Sequence, residues 1–151
     1  MSNRLEQAIL DKEFIKRLIP QKDPFVMVDR LLYFDTDTLT SGLEITTDNI
    51  LTDGDNFSEA GLLEHMAQST ALYRGYQGYQ NEGANTTPKI GFIGAIKHAT
   101  IYMLPKIGTT LITTAKIIAE VMHVTLIDIV VKDTNGTIIA SSQMKTVVTN
   151  A

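Results

Sequence analysis

Apolar side chains recur along this chain with two periods, about 3.6 residues in one stretch and about 2 in most of the remainder. The helical stretch is Ser58 to Tyr76, SEAGLLEHMAQSTALYRGY. Ser58 is placed to cap it and Glu59 puts a carboxylate in its first turn, while Gly75 or Gly78 is expected to close it. At about 100° per residue, Leu62, Leu63, Met66, Ala67, Thr70 and Tyr73 fall within an arc of about 140°, the predicted core face. Beside it runs a narrow, small and polar stripe made of Glu64, Gln68, Ala71 and Gly75. A carboxylate one turn from an amide that can hold it is a way to present an oriented acid at the edge of a buried helix.

The remaining elements follow from punctuation and alternation. Leu5 to Ile19 reads as short helical pieces, with Leu10, Phe14, Ile15 and Leu18 at helical spacings, stopped by Pro20. Pro20 and Pro24 bracket the stiff turn Gln21-Lys22-Asp23. Strands are predicted from Phe25 to Tyr33 and from Thr38 to Ile45, then a loop from Thr46 to Phe57. After the helix, Gln77 to Pro88 is polar, carries Gly78 and Gly83, and is expected to be flexible. Strands follow at Ile90 to Leu104, Leu111 to Val121, His123 to Asp133 and Thr137 to Val148, the last two joined by Thr134-Asn135-Gly136. In the second of these, Leu111, Thr113, Ala115, Ile117, Ala119 and Val121 share one face, with Lys116 and Glu120 on the other. One sheet must therefore cover one long helix, an α+β arrangement of the hotdog type, read as a single domain over residues 1–151. Such a sheet has edges to manage, and pairing through an edge strand into a dimer is one solution.

Composition narrows the chemistry. The chain of 151 residues is 44% hydrophobic and 20% charged with net charge −4, an ordinary globular profile with no basic excess for nucleic acid. It has no Cys and three scattered His, so thiolate chemistry, disulfides and a Cys- or His-built metal site are not expected. No apolar run approaches membrane-spanning length and no signal-type segment opens the chain, which points to the cytoplasm.

Three segments together resemble the β-hydroxyacyl-acyl-carrier-protein dehydratases of the hotdog superfamily. Leu18-Ile19-Pro20-Gln21-Lys22-Asp23-Pro24-Phe25-Val26-Met27-Val28-Asp29-Arg30 is similar to their opening L-P-H-R-x-P-F-x-x-V-D-R. Leu63-Glu64-His65-Met66-Ala67-Gln68 is similar to their helix motif L-E-A-M-A-Q. Phe92-Ile93-Gly94-Ala95-Ile96-Lys97-His98-Ala99, with Pro105 and Gly108 beyond, is similar to F-x-x-G-I-x-x-A followed by P-G. The resemblance implies a 3-hydroxyacyl thioester delivered on a phosphopantetheine arm, which arrives with the substrate, so that no separate cofactor is required. It implies a tunnel at a dimer interface, a His that removes the Cα proton, and a helix acid, here Glu64, that assists departure of the hydroxyl. Gln68 matches the amide that follows the acid, and Gly61, Leu62 and Leu63 begin the helix where backbone N–H groups would polarise the thioester. Asn56, Phe57, Phe92 and Gly94 complete the substrate-binding positions carried over.

One position departs from the pattern. The family's His sits in a G-H-F-P loop, and the corresponding Gly54-Asp55-Asn56-Phe57-Ser58 is shorter and offers Asn56, whose amide cannot serve as a base near neutral pH. The stretch is similar to divergent dehydratase-like subunits found beside polyunsaturated-pigment clusters, which support a catalytic partner.

Other groups are weighed against simpler roles. His65 lies about 100° around the helix from Glu64, toward Ser69 and Tyr76; it reads as a packing or interface histidine, and as a substitute base if a partner brings substrate to that side. His98 and His123 read as structural or exposed. Asp128 interrupts the row Val124, Leu126 and Val130 and calls for a partner. Gly61, Gly91 and Gly94 let backbone approach the helix, a strand or a ligand. Tyr73, Tyr76 and Tyr79 are expected to cover the end of the helix.

Three functions are compatible with these residues. One is a dehydratase-like protein that acts on or binds 3-hydroxyacyl thioesters of acyl carrier protein, as a homodimer or as the non-catalytic half of a heterodimer with a catalytic subunit. Another is an acyl-CoA or acyl-carrier thioesterase using Glu64 alone. The third is a binding dimer without chemistry. Acyl carrier proteins are acidic, so docking one requires a basic patch, with Lys89, Lys97 and Lys106 as candidates.

Overall fold

The computed structural model describes residues 2–88 and 90–148, so the expectation for Lys89 lies outside the described residues. Helix α1 (Lys12–Arg17) is capped by Asp11, whose carboxylate accepts from the backbone N–H groups of Glu13 and Phe14. The helical stretch expected from Leu5 contracts to this short piece. The residues before it lie along the sheet instead, Ile9 forming a bridge with Leu31 and the Arg4 N–H donating to the Phe34 carbonyl.

Six strands of the described residues form an antiparallel sheet: β1 (Arg30–Phe34), β2 (Thr38–Glu44), β5 (Gly91–Ile101), β6 (Thr110–Val121), β7 (Val124–Lys132) and β8 (Ile138–Val148). Their spatial order is β1-β2-β6-β7-β8-β5, which leaves β1 and β5 as edges. Where a loop was expected before the long helix, β3 (Thr52–Asp53) and β4 (Asn56–Phe57) make a separate small hairpin, turned by Gly54 at φ 61°. Around one helix, this sheet is the hotdog fold expected from the sequence.

That helix, α2, runs over Glu59–Glu82, 24 residues and about 36 Å. Ser58 caps it as expected, its hydroxyl accepting from the Gly61 N–H. Its end is not where the glycines suggested. The helix continues through Gly75 and Gly78 to Gly83, which takes φ 72° at the C-cap. Gly75 instead serves a crossing: a Cβ built there would lie 1.8 Å from the Leu18 carbonyl oxygen, so the helix touches the end of α1 backbone to backbone.

Two buried clusters share α2. Its first half contributes Leu62 and Met66 to a cluster with Met27, Phe57, Leu111, Ile127, Ile129 and Met144. Its second half contributes Leu72, Tyr73 and Tyr76 to a cluster with Ile15, Leu18, Leu31, Phe34 and Leu39. Phe34 packs between Tyr73 and Tyr76 with ring centroids 5.3 and 4.9 Å away, and Tyr79 closes the row against Phe14 at 4.9 Å. The tyrosines thus cover the helix end, as expected.

The buried side of α2 keeps Leu62, Met66, Thr70 and Tyr73 of the predicted arc but extends to the other flank of it. His65, Gln68, Ser69, Leu72 and Gly75 are buried, whereas Leu63, Ala67 and Ala71 are only half-buried. The centre of the buried face is turned by roughly 100° from the centre of the predicted arc. β6 likewise departs from strict alternation: a bulge between Ile117 and Ala119 shifts the phase, and Ala119 and Val121 are exposed rather than buried. Asp128 lies on the outer face opposite Lys116 and accepts a hydrogen bond from Gln143 Nε2 at 2.8 Å. Among the described residues, no helix is long and apolar enough to cross a membrane.

Candidate functional site

A polar seam accounts for the seating of α2 and ends at Glu64. His65 is fully buried. Its Nδ1 lies 2.6 Å from the Met27 carbonyl, which can only accept, so Nδ1 carries the proton; Nε2 then accepts from the Thr113 hydroxyl at 2.7 Å. Ser69 donates its hydroxyl to the His65 carbonyl at 2.9 Å, which leaves Ser41 as the donor in the 2.7 Å contact between the two serines. Gln68 reads the same extended segment of chain. Its Oε1 accepts from the Met27 N–H at 2.6 Å and its Nε2 donates to the Phe25 carbonyl at 2.8 Å. These two backbone groups are thereby taken by the helix and not by the sheet, where the first strand starts at Arg30.

The second hydrogen of the Gln68 amide goes to Glu64 Oε2 at 2.7 Å. Glu64 is half-buried, on the same open side of α2 as Ala67 and Ala71. The amide-held carboxylate read from the i,i+4 spacing is therefore present, and its holder is itself anchored twice to backbone. The arrangement offers an oriented proton carrier facing a surface that this chain alone does not cover.

His65 does not share that surface. Burial pushes its imidazole down from 6.5 to about 4, against the opposing pull of the Met27 carbonyl, and both nitrogens are occupied. The position left open for it as a substitute base is thus corrected: it is a neutral tie between α2, the Met27 carbonyl and β6. His98 sits in a bulge of edge strand β5 at φ 52°, and His123 in the β6–β7 turn, both exposed.

At the start of α2, the carried-over positions do different work from that expected. Asn56 Nδ2 donates to the Leu104 carbonyl at 2.9 Å, and the Phe57 N–H to the Pro105 carbonyl at 2.7 Å, so β4 is pinned to the segment ahead of β6. Phe57 is fully buried with its ring over Gly61, where an added Cβ would lie 2.5 Å from a ring carbon. Gly61 makes room for that ring rather than for a strand. Its N–H is taken by Ser58 Oγ at 3.0 Å and the Leu62 N–H by the Ser58 carbonyl at 3.0 Å. The donors that helix geometry leaves without an intrahelical partner are those of Glu59 and Ala60, which border a depression of about 450 Å³ with Asp53, Asn56 and Leu104. Phe92 and Gly94 lie on β5; Phe92 is 58% exposed, and Gly94 marks a bulge where a Cβ would meet Val147 at an ordinary 3.5 Å. Close approach to the helix does not explain Gly94.

Sequence reasoning missed Met27, Ser41 and Thr113 as the partners of the seam, because a backbone peptide and two strand hydroxyls carry no motif. The V-D-R segment also becomes intelligible. Asp29 accepts from the Glu44 N–H at 3.0 Å and from Arg30 Nε at 2.8 Å, while the Arg30 stem crosses Gly42, where a Cβ would lie 2.8 Å from it. Those residues tie β1 to β2. Among the described residues, no cluster of His, Asp and Glu could hold a metal ion.

The fold and the amide-held helix carboxylate define a hotdog protein. Residues 13–150 match the ApeP-like family, described as ApeP dehydratase, and the chain belongs to that family. Among solved structures, it is similar to the dehydratase heterocomplex ApeI:P from Xenorhabdus doucetiae, with TM-score 0.75 and 14% identity over 90% of this chain and 91% of that one. It is also similar to the PaaI protein of the E. coli phenylacetic acid degradation operon, with TM-score 0.64 and 14% identity over 80% and 79%. A hypothetical thioesterase with coenzyme A from Streptococcus pneumoniae TIGR4 matches with TM-score 0.63 and 11% identity over 79% and 84%. At these identities the solved structures bear on the fold alone. No curated protein matches the chain.

Proposed function

We propose that this chain is a dehydratase subunit that binds 3-hydroxyacyl thioesters of acyl carrier protein and presents Glu64 to a site whose histidine comes from a catalytic partner. The observation that carries this reading is an anchored carboxylate without a base of its own. Glu64 is held by Gln68 on the half-open side of α2, while His65 is sealed in the core and Asn56, where the resemblance would put the family's histidine, donates to the Leu104 carbonyl. The partner's imidazole takes the Cα proton and Glu64 in its acid form protonates the leaving hydroxyl, so that water departs and a 2-enoyl thioester remains. The phosphopantetheine arm belongs to the substrate, and no further cofactor enters.

Edge strand β5 is where such a partner fits. Phe92, Ile93 and Ile96 are exposed on it at 58%, 38% and 44%, and its outer side makes no ladder hydrogen bonds within the chain's sheet order. The related ApeI:P assembly is itself a dehydratase heterocomplex. Lys97 on β5 and Lys106 beyond it are exposed and offer positive charge to an acidic carrier.

The test is turnover of a 3-hydroxyacyl carrier-protein thioester by the purified chain alone and together with a catalytic dehydratase subunit, with enoyl product and free thiol followed by mass spectrometry. Enoyl product is expected only from the mixture, and Glu64→Gln in this chain is expected to lower it at least about a hundredfold, on the order of one lost proton-transfer group. Enoyl formation by the chain alone would mean that it holds its own base. Released thiol would move the assignment to a thioesterase that uses Glu64.

A further inference from the structure

The outer face of the sheet, away from α2, carries an arrangement that the Glu64 site does not use. Val121 lies opposite Val124, and Val124 opposite Val147, so an apolar row crosses β6, β7 and β8 at one end. The turn joining β6 to β7 extends this row outward with Met122, which is 89% exposed and takes φ 57°, beside Val121 at 67%. Ile118, in the β6 bulge behind the row, is also exposed. Aliphatic side chains gathered at the tip of a hairpin mark a surface that meets something apolar.

Behind the row the face turns basic. The next pair along β8 and β7 is Lys145 with Leu126, and the one after it sets Gln143 and Asp128 between Lys97 on β5 and Lys116 on β6. At about 3.4 Å per residue, these lysines start roughly 7 to 14 Å from the apolar row. Among the described residues, none of the three forms an ion pair. The carboxylate between them, Asp128, accepts from Gln143 at 2.8 Å, and Glu120 is drawn to Arg74 instead. Positive charge is thus collected on this face although the whole chain carries net charge −4.

A second copy of this chain is a poor occupant, because two such faces stacked on one another bring lysines against lysines. An anionic bilayer offers the complement of both features, negative charge at its surface and hydrocarbon directly beneath. We propose that the outer face of the sheet docks on an anionic membrane surface, with Val121 and Met122 entering among the headgroups and Lys97, Lys116 and Lys145 lying against the lipid phosphates. On the other side of the sheet, α2 and Glu64 then face away from the bilayer. The inference stands independently of the thioester reading.

Co-sedimentation of the purified protein, in the assembly it forms, with two kinds of vesicle in 0.1 M salt tests it: equimolar phosphatidylglycerol and phosphatidylcholine, and phosphatidylcholine alone. Binding about a hundredfold tighter to the anionic vesicles is expected, on the order of three lysines near a charged surface. Lys116→Glu combined with Lys145→Glu is expected to lower that affinity at least about tenfold, through charge. Val121→Ser combined with Met122→Ser is expected to lower it by about the same factor, through lost apolar contact. Equal binding to the two kinds of vesicle overturns the proposal, as does anionic binding that survives either pair of substitutions. Binding to neither overturns it in favour of an acidic protein as the occupant.

Discussion

His65 makes the stability of this protein depend on pH in a window that follows from its surroundings. The imidazole has an ordinary value of 6.5 in the unfolded chain and about 4 in the folded one, because full burial disfavours the cation more than the Met27 carbonyl favours it. Below pH 6.5 the unfolded state therefore binds a proton that the folded state refuses. Stability is complete above 6.5 and falls as the pH drops toward 4, below which both states are protonated and the loss levels off. At about 1.4 kcal/mol for each pH unit between those two values, the loss is about 3 kcal/mol, a large share of the stability of an ordinary domain. The comparison that isolates it is urea unfolding from pH 7 to pH 4 of the unaltered protein and of His65→Asn. The variant keeps a donor in reach of the Met27 carbonyl but has nothing to titrate. At pH 7 it should be less stable by roughly 1–3 kcal/mol, since the Thr113 hydroxyl loses its acceptor. That deficit should shrink, and can reverse, as the pH approaches 4, while the carboxylates common to both proteins cancel. Stability curves that stay parallel throughout this range would refute the assignment of a neutral, sealed imidazole.

The remaining predictions concern the frame around Glu64. Gln68→Leu should cost about 2–4 kcal/mol in urea unfolding, because the Met27 N–H and the Phe25 carbonyl both lose their partner in or near the core; a change under 0.5 kcal/mol would mean that the seam does not hold the helix. Gly75→Ala should be far more damaging than Gly61→Ala by thermal melting, since one Cβ meets backbone at 1.8 Å and the other the rim of an aromatic ring at 2.5 Å; similar melting temperatures would contradict the backbone crossing. Ile96→Lys on β5 should leave the fold intact by circular dichroism and reduce assembly with a second subunit in analytical ultracentrifugation, and undiminished assembly would place the interface elsewhere.

What could be read from the sequence differs element by element. The cap at Ser58, the Asn135-Gly136 turn and the paired Glu64 and Gln68 were legible because each depends on neighbours within four residues. The seating of α2 was not. Hydropathy ranks Leu63 and Ala67 above His65, Gln68 and Ser69, and only the fold supplies the Met27 peptide, Ser41 and Thr113 that satisfy the latter three. Gly75 looked like a stop signal because its role depends on Leu18, more than fifty positions away. The bulge in β6 and the hairpin β3–β4 were missed for a local reason: an inserted residue breaks the alternation, and strands of two residues are too short to show one.

The rotated seating of α2 has a further consequence. Apolar burial has no preferred direction, so a helix with a more apolar arc and a more polar one could settle on a curved sheet in two orientations. The bonds from His65, Gln68 and Ser69 are directional and exist in only one of them. They decide which way the helix faces, and so leave a second apolar strip, with Leu63, Ala67 and Ala71, half-open. Conservative substitutions on that strip, which only borders the core, leave these directional bonds in place.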